Sequence, residues 1–155
     1  MSTRRDFLGV TTTALVASAT STPMYARGTP KLQYIVSSAA PKAIGPYSHA
    51  VRAGNSVYLS GQVALDPVTG NLVQGDFAAQ VRRVLDNLKA VLLEAGGEFR
   101  NVVKSTVYLT DVANFQTMNS IYAEYFGESK PARSTIGVAQ LPRGAAVEID
   151  LIAVL

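Results

Sequence analysis

The chain of 155 residues has no cysteine, no tryptophan and one histidine. Without cysteine there is no disulfide framework, thiolate nucleophile, iron–sulfur cluster or thiolate zinc site. One histidine argues against a multi-histidine metal centre or a histidine-dependent proton relay, so no metal is expected. Charge is sparse, at 16% of residues, and nearly balanced, with 14 Lys and Arg against 11 Asp and Glu giving +3. The basic residues are scattered, Arg4-Arg5 and Arg82-Arg83 being the only adjacent pairs. No stripe of phosphate contacts follows, which argues against a nucleic-acid partner. G-x-G-x-x-G, a phosphate loop, a G-x-S-x-G elbow and H-E-x-x-H are missing too.

What is present is an ordinary globular composition, 48% hydrophobic, in a length that suits one domain and buries well over half of its unfolded surface. Ahead of that domain, residues 1–26 have the features of an address. Thr3-Arg4-Arg5-Asp6-Phe7-Leu8 has the twin-arginine pattern. The apolar run that follows, Phe7 to Ala19, is diluted by Thr11, Thr12, Thr13 and Ser18 and falls short of the roughly 20 apolar residues a membrane span needs. A small residue, Ala26, ends the segment as a cleavage site requires. The expectation is a signal peptide over 1–26, export of a folded domain spanning 27–155 to the periplasm, and no stable membrane association once the signal is removed.

Within the domain, Lys31 to Ser37 reads as a strand. Tyr47 to Arg52 and Ser56 to Leu65 predict a hairpin across Ala53-Gly54-Asn55. In the longer arm, alternation sends Val57, Leu59, Gly61 and Val63 one way and Tyr58, Ser60 and Gln62 the other. Asp76 is placed to cap a helix running to about Ala95, with Phe77, Val81, Val84, Leu85, Leu88, Val91 and Leu92 on one face and Gly96-Gly97 as its stop. Val102 to Leu109 is a strand, Asp111 caps a second helix over Val112 to Phe126, and Arg133 to Val138 and Ala146 to Val154 are the closing strands. The order β-β-β-α-β-α-β-β predicts an α+β domain, a mixed sheet with both helices on one face. The other face must be wet or covered by another copy. In the last strand Val147, Ile149, Leu151 and Ala153 oppose Glu148, Asp150, Ile152 and Val154, so half its length is apolar on both sides and oligomerisation is expected.

Few residues offer chemistry. Ser48-His49 suggests a nucleophile and base, but neighbours on a strand diverge, so His49 is taken as incidental. Arg133 stands at the entrance of a strand with Thr135 two residues on along the same face; a lone arginine is usually solvated or salt-bridged. Glu148 is a carboxylate inside the most apolar strand, a partner for Arg133 or an edge charge that blocks aggregation. Asn119, four residues after Phe115, would ordinarily lie on the surface.

Taken together these positions resemble the Rid (YjgF-like) family of reactive intermediate deaminases, from about Ser37 to the C-terminus. The carrying stretches are Ala43-Ile44-Gly45-Pro46-Tyr47-Ser48, Leu59-Ser60-Gly61-Gln62, Asp66-Pro67-Val68-Thr69-Gly70, Asn119-Ser120-Ile121-Tyr122, the block from Pro131 to Leu141, and Val147-Glu148-Ile149. The resemblance implies a chorismate-mutase-like fold, a homotrimer with clefts between subunits, and hydrolysis of enamines and imines such as 2-aminoacrylate, 2-iminopropanoate and 2-iminobutanoate to 2-oxo acids and ammonia. It implies Arg133 as the carboxylate clamp and Glu148 as the group that activates water. Tyr47, Ser60, Asn119 and Thr135 would line the pocket, with backbone groups at Gly61 holding the nitrogen or the water. Thr135 stands where many of these deaminases carry Cys, a lining role and not a nucleophile's.

The chemistry suits so few tools. A guanidinium fork meets a carboxylate with two charge-assisted bonds. One carboxylate, its pKa raised by burial, can move the protons. A general-base effect of about 10²–10⁴ is enough for a bond that hydrolyses unaided, with no metal or organic cofactor. Arg133 and Glu148 are therefore expected to converge in one acid-sized crevice where protomers abut. The competing expectation is a non-catalytic trimer that binds small carboxylates or shields unfolded chains; a nuclease, the name attached to some relatives, is disfavoured by the scattered charge.

Overall fold

The computed structural model describes residues 31–155; the signal expected over residues 1–26 lies outside the described residues. The strands are β1 Leu32–Ile35, β2 Ala50–Ala53, β3 Ser56–Val63, β4 Val102–Leu109, β5 Ala132–Gly137 and β6 Val147–Val154, with helices α1 Phe77–Glu94 and α2 Phe115–Phe126. Short 3-10 turns at Phe99–Asn101, Val112–Asn114 and Pro142–Gly144 join them. The six strands make one mixed sheet in the order β1-β2-β3-β6-β4-β5, antiparallel except for the β4–β5 pair. That exception follows from α2, which carries the chain back across the sheet before β5 begins.

The helices form where the capping chemistry says they should. Asp76 accepts from the Ala79 N–H at 2.9 Å and starts α1. At its far end Gly96, at φ +82°, and Gly97 donate to Leu93 and Leu92 carbonyls, a Schellman stop that a side chain at Gly96 would strain. Asp111 caps as expected, but onto Ala113 and into a 3-10 turn, so α2 proper begins three residues later than the spacing predicts, at Phe115. Both helices lie on one face. Leu85, Leu88 and Leu92 of α1 are fully buried against Val57, Val107, Ile149 and Leu151 of the sheet, with Met118 and Tyr122 of α2 beside them. Truncating one of those leucines to alanine costs about 2–5 kcal/mol. Arg82 and Glu124 clamp the two helices outside with a two-pronged ion pair at 2.6 and 3.1 Å.

The opposite face has no helix on it among the described residues. Register puts Leu32, Tyr34, Tyr58, Val154 and Ile136 there, all exposed, Tyr34 to 70%. Glu148 is on that face too, in a strand that runs between β3 and β4. It is therefore no edge charge, which removes one of its two bland explanations.

Two sequence expectations need correction. The second strand begins at Ala50, not Tyr47, because Ser48 and His49 are spent holding β3: the Ser48 carbonyl accepts the Ser60 hydroxyl at 2.7 Å and the His49 carbonyl accepts the Ser60 N–H at 2.9 Å. The alternation assigned to β3 also fails after Leu59. Its register against β6 runs Leu59–Leu151, then Gln62–Ile149 and Val63–Glu148, which is one extra residue, a β-bulge. A bulge shifts side-chain parity, so Gln62 turns into the helix side and is buried, while Val63 joins Glu148 on the other.

Candidate functional site

That bulge builds half of the site. Ile44, Tyr47, Ser60, Gly61, Val63 and Glu148, with Pro142 at the rim, line a cavity of about 280 Å³ on the helix-free face. Glu148 lies directly over Gly61: a Cβ there would overlap its Oε1 and stand 2.9 Å from its Cδ. Gly61 has no left-handed φ, so glycine is required here for the close approach alone. Asn87 of α1 secures the strand beyond the bulge. It is buried at 1% exposure and donates to the carbonyls of Val63 and Leu65 at 3.2 and 2.9 Å.

Burial pushes the Glu148 carboxyl above the ordinary carboxylate range, and the nearby Asp150 charge adds to the shift. No cation or hydrogen-bond donor among the described residues pulls it back. Asp150 itself accepts the Tyr108 hydroxyl at 3.1 Å. A carboxylate raised in this way, at the mouth of a cavity, holds a proton more readily than a surface glutamate and can trade it with a bound molecule. Tyr47 completes the wall and is braced by the Ile44 N–H donating to its hydroxyl at 3.3 Å.

The other half is on the helix face. Arg133 of β5 pairs in register with Ser105, which pairs with the buried Leu151, and its side chain runs under α2. There its Nη2 donates to Asn119 Oδ1 at 2.7 Å, and the guanidinium packs 4.7 Å above the centroid of the Tyr122 ring and 5.8 Å from that of Phe115. Tyr122 is itself fixed by a 2.8 Å hydrogen bond with Ser105 and a stacked contact with Phe126 at 4.0 Å. The result is an arginine held over an aromatic platform, with donors left over, at the edge of a cavity of about 290 Å³ lined by Asn119, Tyr122, Gly127, Lys130, Pro131 and Arg133. Such a fork suits a planar carboxylate. Thr135 shares this face two residues on, opposite Val107, and lines neither cavity.

So six of the seven expected residues fall into two groups, Thr135 joining neither. Tyr47, Ser60, Gly61 and Glu148 meet on one side of the sheet, and Arg133 and Asn119 meet on the other. Within one chain the guanidinium and the carboxylate do not converge, and Glu148 is not the ion-pair partner of Arg133. A crevice with both needs a second copy. The sequence reading does not anticipate the aromatic platform that Phe115 and Tyr122 make for Arg133. Their spacing around Asn119 on one helix face (115, 119, 122) was the available signal. Two roomier depressions, of about 470 and 520 Å³, lie near Phe99 and near Arg143 and contain neither Arg133 nor Glu148. Among the described residues no group of three or more His, Asp or Glu is gathered as metal ligands are.

The family profile described as Endoribonuclease L-PSP matches residues 37–155. The Yersinia pestis protein YyfA, described as a conserved Rid-family protein of unknown function, is 45% identical with a TM-score of 0.78 over 81% of this chain and 100% of that one. The chain belongs to the Rid/L-PSP family. Other members bear different names. A mouse 2-iminobutanoate/2-iminopropanoate deaminase is 52% identical over 74% of this chain and 85% of its own length. A RutC family protein of Pyrococcus abyssi is 49% identical over 78% and 95%. The family's mixed sheet with two helices on one face is the architecture expected from the sequence.

Proposed function

We propose that this family member hydrolyses small 2-imino acids and their enamine tautomers to 2-oxo acids and ammonia, as a homotrimer whose sites are completed between neighbouring copies. The observation that carries the reading is the division of labour across the sheet. One face presents a preorganised carboxylate clamp, the other a desolvated carboxyl beside an open cavity, and the apolar side chains left bare around Glu148 suit burial against a second chain. The name of the mouse relative supplies the substrate class.

In the proposed reaction Arg133 of one copy grips the substrate carboxylate through two N–H donors and fixes the plane of the imine. Glu148 of the neighbour takes a proton from water as its oxygen bonds to the imine carbon. It delivers that proton to nitrogen to give the carbinolamine, then takes the carbinolamine hydroxyl proton and passes it to the same nitrogen, so that the carbon–nitrogen bond breaks and ammonia leaves as the carbonyl forms. Water and imine are consumed in equal number, and the carboxylate is regenerated. Tyr47, Ser60 and Val63 wall the cavity on the Glu148 side. Asn119 holds the guanidinium on its platform.

The test is ammonia release from imines made in situ by an amino-acid oxidase, with Arg133→Ala run beside the parent. Acceleration by the parent that is lost in the variant supports the reading, and a parent that accelerates the decay of no small imino acid ends it. The family description favours a second reading, RNA cleavage. Cleavage that survives replacement of both Arg133 and Glu148 would point to a contaminating nuclease.

A further inference from the structure

Behind the Glu148 pocket is a second cavity, of about 20 Å³, that the proposed reaction leaves unused. Tyr47, Ile44, Gly61 and Val63 line both, so the two share a wall at the β3 bulge. His49 also lines the smaller one and is 1% exposed. Its Nδ1 accepts the Ser37 N–H at 3.0 Å. An imidazole nitrogen that accepts a backbone N–H carries no hydrogen, so the ring proton is on Nε2. Nε2 is buried with no partner among the described residues, a rare and costly state for a donor. Gln62 lines the same cavity at 6% exposure, and its side-chain amide makes no hydrogen bond among the described residues. A single water needs roughly 10–15 Å³ and two to four polar partners. Space and partners are both here.

We infer that this cavity is an internal water site, with His49 Nε2–H donating to the water and the Gln62 side chain accepting from it, and that His49 thereby positions Glu148 through Gly61. Glu148 rests on one side of Gly61 and the water fills the other. With the water in place the bulge cannot settle inward, and the carboxylate keeps its seat at the pocket. His49 is then a positioning residue, neither incidental nor a base. The water site stands on geometry alone; the effect on turnover rests on the hydrolase reading.

Because the chain has one histidine, its ring nitrogens give unambiguous NMR signals. The expected result on the folded protein is the Nε2–H tautomer with a rotating-frame cross-peak from Nε2–H to a long-lived water; a spectrum with no such cross-peak overturns the site. Two substitutions test the role. His49→Asn keeps an acceptor for Ser37 and removes the group at Nε2, so kcat in imine hydrolysis falls about five- to tenfold, the worth of one hydrogen bond, with KM unchanged. His49→Gln restores a donor near the Nε2 position and recovers most of the loss. A His49→Asn variant with parental kcat refutes the positioning role. A bound water in a protein that hydrolyses no imine upholds the site while sinking both the hydrolase reading and the role built on it.

Discussion

Gly61→Ala separates the geometry of the site from the stability of the fold. The backbone at Gly61 is open to any residue, so alanine brings no strain and, by restricting the unfolded chain, would by itself stabilise by about 0.4–1 kcal/mol. Against this stands the overlap of the new methyl with Glu148 Oε1 and its 2.9 and 3.1 Å approaches to Cδ and Cγ, an overpacking that costs about 1–3 kcal/mol if the side chain stays. The side chain is partly open to solvent and can swing away, so the net loss of stability is at most about 2 kcal/mol. Activity has no such escape. A carboxylate moved by an ångström or more from its reacting position costs about 10²-fold in kcat. The assay is urea denaturation beside ammonia release, repeated in a Glu148→Ala background where the methyl has room. There Gly61→Ala should cease to destabilise, giving a coupling of about 0.5–3 kcal/mol. Parental turnover in Gly61→Ala, or effects that simply add, would refute the placement of Glu148 over Gly61.

Three other outcomes follow. The raised Glu148 carboxyl means the folded state holds this proton more tightly than the unfolded chain, so stability is fully present below the unfolded pKa and is lost as pH rises through the folded one. Glu148→Gln should therefore melt higher than the parent near pH 7 and match it at pH 3, and an equal difference at both values contradicts the burial argument. Asn87→Ala leaves the Val63 and Leu65 carbonyls without their donor and should destabilise by about 1–3 kcal/mol in urea denaturation; parental stability would show that the anchor behind the bulge is dispensable. Residues 1–26 placed ahead of a reporter that folds before export should carry it to the periplasm, and Arg4→Lys with Arg5→Lys should stop it. A reporter that stays in the cytoplasm removes the export proposal.

The elements were legible because their signals are local. Asp76, Gly96 and Gly97 mark the ends of α1 through cap and stop chemistry, and the apolar spacing from Val81 to Leu92 gives the face it buries. The bulge at Ser60–Gly61 was not legible, since alternation in β3 carries no sign that β6 will skip a residue opposite it. That one insertion decides which way Gln62 and Val63 point, and with them the shape of the Glu148 pocket. What holds His49 in place was not legible for a related reason. Its bonds to Ser37 and Ser60 join segments eleven or twelve residues away, beyond the reach of any local pattern. Arg133 and Glu148 stand out in the sequence, yet residue type and spacing say nothing about which face of a sheet each will occupy. Their separation by the sheet became visible only once the strand order placed β5 at an edge and β6 between β3 and β4.

The division of the site between copies can be measured by complementation. Arg133→Ala and Glu148→Gln chains, each inactive alone, are unfolded, mixed in equal amounts and refolded together. If clamp and carboxyl come from neighbouring copies, each mixed ring of three has one site that pairs an intact Arg133 with an intact Glu148. With about three rings in four mixed by chance, about a quarter of all sites are restored and imine hydrolysis returns to about a quarter of the parental rate. A mixture as inactive as its parts, from chains shown to have exchanged, would contradict the account.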